Sequence, residues 1–349
     1  ANVHGVWSGD QELYYFQNVN TTHVHHNVAL GGRTTAFAFW SGHGGTSHGN
    51  IIEKNMALSM HGRDGFAARG IYLGSPAEVD SCSANVIRYN IVSDSDVGIV
   101  PINCWVDTLE PNRIYNNTMV GNGVNFLYRT GARFWEVQNN LSYNPAPTES
   151  EPRAAHVVHE SNDQLFVASN NLFFPDGPER FIFAGTPGSF DDWIVATAQE
   201  QDSMVSDPVL TETSAGVYEP LAGSAVIDAG FDLGQESDFH DRAIRGVPDI
   251  GAVEYHAPPT SPAGLRVLFP ITLASSPTLV WDEVATDIDG HTIQVSGYHL
   301  RYGTTMGGPY TEEVTSLAPD AYQGVDLEGL QPDVDYYFIV VAVYDDIES

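Results

Sequence analysis

His61, Arg63 and Arg69 crowd into one short stretch, with Arg33 before them and Asp94 and Asp96 after. A base that takes the proton α to a carboxylate, with a cation to hold the resulting enolate, is the equipment of β-elimination on an acidic sugar. His61 with Arg63 or Arg69 supplies those two roles, and Asp94 with Asp96 offers oxygen ligands for Ca²⁺. Asp64, Asp176, Glu179 and Arg180 extend the same ionic set. A second group holds Trp40, His43, His48, Glu78, Asp80, Trp105, Asp107 and Glu110. A glycosidase needs two acids about 5–9.5 Å apart; Asp80 and Asp107 are the candidate pair, with Trp40, His43 and Trp105 as sugar contacts. His23 and His25 share an outward face that suits a two-histidine metal clamp, although spacing fixes no third ligand. Each group also has a plain structural reading, as solvated ionic loops on an acidic protein.

The elements that position these residues follow from a repeat, which is sought before single motifs. An asparagine followed by an apolar residue or threonine recurs at Asn27, Asn55, Asn90, Asn117, Asn140 and Asn171. Three residues earlier stands a small or aliphatic residue: Val24, Ile52, Ile87, Ile114, Val137 or Ala168. A strand-like segment follows each asparagine, from Ala36–Trp40 and Gly70–Gly74 through Arg180–Ala184, and Glu12–Phe16 precedes the first. Each coil therefore reads as two short strands, a bend and loops of variable length. This is the pattern of a right-handed parallel β-helix, in which equivalent residues stack at about 4.8 Å into columns. The asparagines are expected to form an internal ladder at a tight bend, where asparagine tolerates left-handed geometry. One place after each aliphatic residue, His25, Glu53, Arg88, Tyr115, Gln138 and Ser169 face outward. Loops leave such a solenoid on defined edges, which gathers the first chemical group on one edge and the second on the other. Cys82 and Cys104 follow equivalent strands of adjacent coils, a spacing open to a disulfide.

Coils 50–141 resemble the broad pectate-lyase-like superfamily of β-helix repeat proteins, on the residues Asn85-Val86-Ile87-Arg88-Tyr89-Asn90-Ile91 and Ile114-Tyr115-Asn116-Asn117-Thr118. The resemblance implies a fold and a carbohydrate context, and no particular reaction. From Ser206 the texture changes. Asp207-Pro208, Ser224–Gly230, Asp241-Arg242, Arg245 and Pro248–Tyr255 resemble the closing segment of secreted bacterial β-helix proteins of the choice-of-anchor-Q kind. Such a segment is expected to cap the open end of the solenoid, with Arg242 and Arg245 facing Asp228, Asp241 or Asp249. After a linker at 257–262, Leu279–Asp282, Tyr298–Gly303 and Leu330-Gln331-Pro332 leading to Tyr336 resemble a fibronectin type III module, with Tyr336 as its corner tyrosine. Its seventh strand is not found before Ser349, and the chain reads as a fragment of something longer. The fold expected is all-β: β-helix over 1–205, closing segment over 206–256, linker over 257–262 and β-sandwich over 263–349.

Composition narrows the function. The chain carries 14 Lys+Arg against 45 Asp+Glu in 349 residues, a formal net charge of −31, and Lys54 is its only lysine. Phosphate backbones need a basic surface, so nucleic acid is excluded. The longest apolar run, Tyr336–Tyr344, is about half of what a membrane span needs, and no basic-then-apolar leader opens the chain. Acidic polysaccharides are expected to be repelled unless cations bridge them. Two classes survive. One is a secreted, cell-surface or matrix protein whose solenoid is a rigid rod and polysaccharide-binding face, with the sandwich as spacer or assembly module. Its partners are then extracellular polysaccharide or neighbouring copies of itself. The other is a polysaccharide lyase or glycoside hydrolase acting along the solenoid face. Ca²⁺ is the one cofactor either class suggests.

Overall fold

The structure, a computed structural model, describes residues 12–42, 45–63, 65–74, 81–102, 110–129, 135–161, 166–214, 216–268, 278–331, 333–345 and 347–349. The chain divides into two compact units, 1–255 and 256–349. Among the described residues no helix is long and apolar enough to cross a membrane.

The first unit is a parallel β-helix. Three stacks of parallel strands run its length, so each full coil has at least three strands where the sequence suggests two, and Thr46–His48 pairs with Ser81–Ser83 as a fourth in the first two full coils. In the second full coil the strands of these three stacks are Ile51–Glu53, Met56–Leu58 and Arg69–Gly74. Val24, Ile52, Ile87, Ile114, Val137 and Ala168 pair in register as one inward column. All six lie in the core with Phe37, Phe39, Ile71, Ile99, Phe126 and Val157 from the longest strands. The sequence reading merges the two short strands because only one asparagine and the residue before it separate them.

That asparagine makes the bend. Both the backbone N–H and the side-chain Nδ2 of Asn27 donate to Asn55 Oδ1, at 3.1 and 3.0 Å. The same double donation links Asn55 to Asn90, Asn90 to Asn117, Asn117 to Asn140 and Asn140 to Asn171. The left-handed backbone falls one residue earlier than expected, on His26, Lys54, Tyr89, Asn116, Asn139 and Asn170, all with φ between 49° and 55°. The ladder asparagine holds the turn by its amide, and its predecessor supplies the conformation. A second ladder, which the repeat analysis omits, runs from Asn50 to Asn85 to Asn112 with the same double donation. The first ladder ends on Glu200 and Ser203: Asn171 Nδ2 donates to Glu200 Oε2 at 2.8 Å, and its backbone N–H to Ser203 Oγ.

The closing segment does not cap the end of the solenoid. It lies along the side, over the bend column. Phe231 N–H and O both bond the Asn139 amide, Gln235 reaches Arg88 and Tyr115, and Ser237 and Asp241 take the Lys54 ammonium. Asn116 Nδ2 donates to Asp249 O, and Ala252 N–H donates to Thr118 Oγ1. The reason is polar: residues at the left-handed positions point away from the core and need partners. Glu53 and Tyr115 are consequently buried although they sit on the outward face. Arg242 pairs with Asp238 at 3.1 Å and approaches Glu219, rather than Asp228, Asp241 or Asp249. Burial and mutual repulsion push the Asp249–Glu254 carboxyl pair up. The last coil is covered instead by the helix Phe190–Thr197, whose Phe190 and Trp193 pack on Phe173 and Phe181. Ser189 and Asp192 form its capping box.

In the second unit a three-stranded and a four-stranded antiparallel sheet carry a core of Leu279, Trp281, Tyr298, Leu300, Ala342 and Tyr344. Residues 257–262, expected to be a linker, pack in this unit: Thr260 N–H donates to Thr286 O, and Pro258 O accepts from Ile288 N–H. Ile347–Glu348 turns back on Val343–Tyr344 as a short strand that the sequence reading leaves out.

Two outcomes follow for stability. Asn90→Leu strands the Asn55 N–H and amide, so unfolding free energy should drop by roughly 3–5 kcal/mol, two or three groups at about 1–3 each; a denaturation midpoint unchanged within error contradicts the ladder. Burial pushes Glu200 up to about 7. A carboxyl raised in the folded state stabilises fully below its ordinary value of about 4.5 and loses that contribution as pH rises through its folded value. Glu200→Gln keeps an acceptor for Asn171 and cannot ionise, so its stability relative to wild type should improve between pH 5 and pH 8. A difference that does not move with pH contradicts this placement.

Candidate functional site

Where the solenoid passes from its short strands to Arg69–Gly74, the loop after Leu58 and the turn at 31–34 face each other. They are stitched together by His61 N–H to Gly32 O at 3.0 Å and Arg69 N–H to Thr34 O at 2.6 Å. Between them opens a cleft of about 390 Å³, within the roughly 300–1,000 Å³ of small-molecule sites. Three arginines line it, Arg33, Arg63 and Arg69, with Phe66 and Glu12.

Asp96, from the next coil, shapes this cleft. Its Oδ2 accepts the N–H groups of Gly62 and Ala68, at 2.6 and 2.8 Å, and so pins both ends of the loop that presents Arg63 and Phe66. Its Oδ1 accepts from Thr148 Oγ1 and lies 3.5 Å from His61 Nδ1. A side chain at Gly62 would collide with Phe66 O, so the pinned loop requires glycine there. Phe66 is left 78% exposed at the tip.

Arg69 is the unusual cation. It is partly buried, makes no ion pair among the described residues, and lies with its guanidinium carbon 5.5 Å from the Tyr72 ring centroid. Burial pulls it below the usual arginine range. Tyr72, pushed up to about 12 by burial, also stacks on Trp40 at 5.4 Å between centroids. Arg33 likewise makes no ion pair among the described residues, and Glu12, on the same cleft, attracts Arg69 electrostatically. A guanidinium is a planar donor fork whose geometry matches a carboxylate.

The candidate residues therefore separate. Arg63 and Arg69 share the cleft, and Tyr72 joins Arg69 to Trp40. His61 stands beside the loop rather than in the cleft lining, its Nε2 3.5 Å from Asp94 and its Nδ1 3.5 Å from Asp96. Asp94, which also accepts from Ser59 Oγ, and Asp96 meet through His61, and the Asp96 oxygens are taken by the protein's own donors. His43, Asp80, Cys104, Trp105 and Asp107 lie outside the described residues. Cys82 is fully buried and disulfide-bonded. Arg180 donates to the carbonyls of Pro145 and Ala154, and Asp176 accepts from Phe190 N–H, so both serve the fold. The sequence reading passes over Phe66 and Tyr72. Phe66 follows Gly65 in a loop, an exposed aromatic that could have been found; Tyr72 sits in a strand that reads as core.

No protein-family model matches the chain, and no curated protein matches it. Among solved structures, one described as "The complex structure of XylC with xylose" aligns at 13% identity with a TM-score of 0.37. The alignment covers 71% of this chain and 43% of that one, so the chain spans less than half the length of that protein. The fold assignment rests on the ladders and the register.

Asp96→Ala should free the loop at 62–68 from its two anchors. Amide exchange in a peptide spanning 60–70 is expected to accelerate by about tenfold or more, two hydrogen bonds to a charged acceptor at roughly 1.5–3 kcal/mol each being lost. Exchange unchanged in that peptide contradicts the anchoring.

Proposed function

We propose that the chain is a saccharide-binding protein of the cell exterior, and that the cleft of Arg33, Arg63 and Arg69 takes the carboxylate of a uronate-type sugar. The observation that carries this is Arg69, a partly buried guanidinium that makes no ion pair among the described residues, beside two further arginines and the exposed Phe66 ring. The net charge of −31 opposes a polyanion at long range. At physiological ionic strength fields decay over about 8 Å, however, so the local cluster decides the bound state. Phe66, exposed at the tip of the loop, gives a sugar ring an apolar face to lie on. The rigid stack of coils supports a rod-like role, and a disulfide-bonded Cys82 fits an oxidising exterior.

The second unit supports a fibronectin type III reading: two antiparallel sheets, with the Tyr336 hydroxyl accepting Gln331 N–H at 3.1 Å as a corner tyrosine does. In this reading it is a spacer or assembly module.

Calorimetry against matched neutral and uronate oligosaccharides tests the proposal. Uronate oligomers should bind and their neutral counterparts should not. Arg69→Gln, and independently the exposed Arg33→Gln, should each weaken binding about tenfold or more, the loss of a charge-assisted pair. Equal binding of neutral sugars, or affinity unchanged in both variants, overturns it. The same samples followed at 235 nm and for reducing ends report turnover; unsaturated ends would replace binding with a lyase reading of this cleft.

A further inference from the structure

At another bend of the first full coil, outside the lining of the arginine cleft, stand three histidines, His23, His25 and His26. The left-handed backbone of His26, φ 54°, turns its ring toward its neighbour. His25 Nδ1 and His26 Nδ1 lie 2.8 Å apart, and the two rings meet edge to face. Asp241 Oδ2 accepts from His26 Nε2 at 3.0 Å and is itself held by the Lys54 ammonium. A carboxylate on one ring nitrogen fixes the tautomer and orients the other nitrogen as a ligand. His26 therefore presents its Nδ1 lone pair to His25. Glu53 holds the third ring in the same way, 2.6 Å from His23 Nε2, and the His23 and His25 ring centroids are 4.4 Å apart.

We propose that the Nδ1 atoms of His25 and His26, already brought together by their hydrogen bond, chelate a divalent transition metal suited to imidazole nitrogen, copper(II) or nickel(II). Without metal, His25 Nδ1–H donates to His26 Nδ1. On binding, that proton moves to His25 Nε2, both Nδ1 lone pairs face the ion, and no net charge leaves the protein. The side chains of His23 and His26 are 47% and 44% exposed, which leaves the remaining positions on the metal open to water.

Titration with Cu²⁺ at pH 7.5 against a weak competing chelator, followed by electron paramagnetic resonance, tests the site. Wild type should show one tight Cu²⁺ with two imidazole nitrogens in a tetragonal field. The double variant His25→Ala with His26→Asn, in which asparagine tolerates the left-handed position, should lose that ion and keep its circular dichroism and melting curve. Asp241→Asn should weaken it about tenfold or more. The same tight stoichiometry and spectrum in the folded double variant overturn the proposal, as does a wild type that releases all its copper to the competitor.

Discussion

Each ladder asparagine offers two donors to one oxygen, and that single interaction sets the shape of the first unit. A buried backbone N–H must find an acceptor, and at a sharp bend no neighbouring strand supplies one. Asn55, Asn90, Asn117 and Asn140 supply it from the side chain, and each passes its own donors one coil on. The amides consequently align head to tail along the solenoid, and the last donor meets a carboxyl, Glu200. Because every bend is fixed by the coil beside it, strands on either side are short and the loops leave at the same two edges. A cleft built by three separate turns of chain becomes possible without any of those turns being close in sequence.

Much of this was legible. The aliphatic column from Val24 to Ala168, the six ladder asparagines and the outward column from His25 to Ser169 all follow from spacing, since a parallel stack places equivalent positions in register. The second ladder was also there to be read: Asn50, Asn85 and Asn112 each stand five residues before a ladder asparagine. In the next two coils that place is taken by Trp135 and Phe166, which breaks the pattern and hides it. Closing the solenoid was not legible. The sequence shows that an end needs covering, but not that a helix with Phe190 and Trp193 does so while the segment after 206 answers the polar demand of the bends.

The candidate chemistry was readable by residue type and not by partner. Asp96 looked like a calcium ligand because a carboxylate in a loop usually faces water; here it faces inward, and two backbone N–H groups hold it. His61 looked like a base and stands between two aspartates beside the cleft. Net charge is silent on local clusters. A sum of −31 says nothing about where 14 cations gather, and three of them line one cleft. Arg69 is costly to bury without an ion pair, and among the described residues it makes none.

The most direct measurement is a crystal structure of the protein with a bound uronate oligosaccharide. The account places a sugar carboxylate within hydrogen-bonding distance of the Arg69 guanidinium, with Arg33 or Arg63 on the same group and a ring against Phe66. A saccharide seated on another face of the solenoid, with the three arginines still facing solvent, would contradict it.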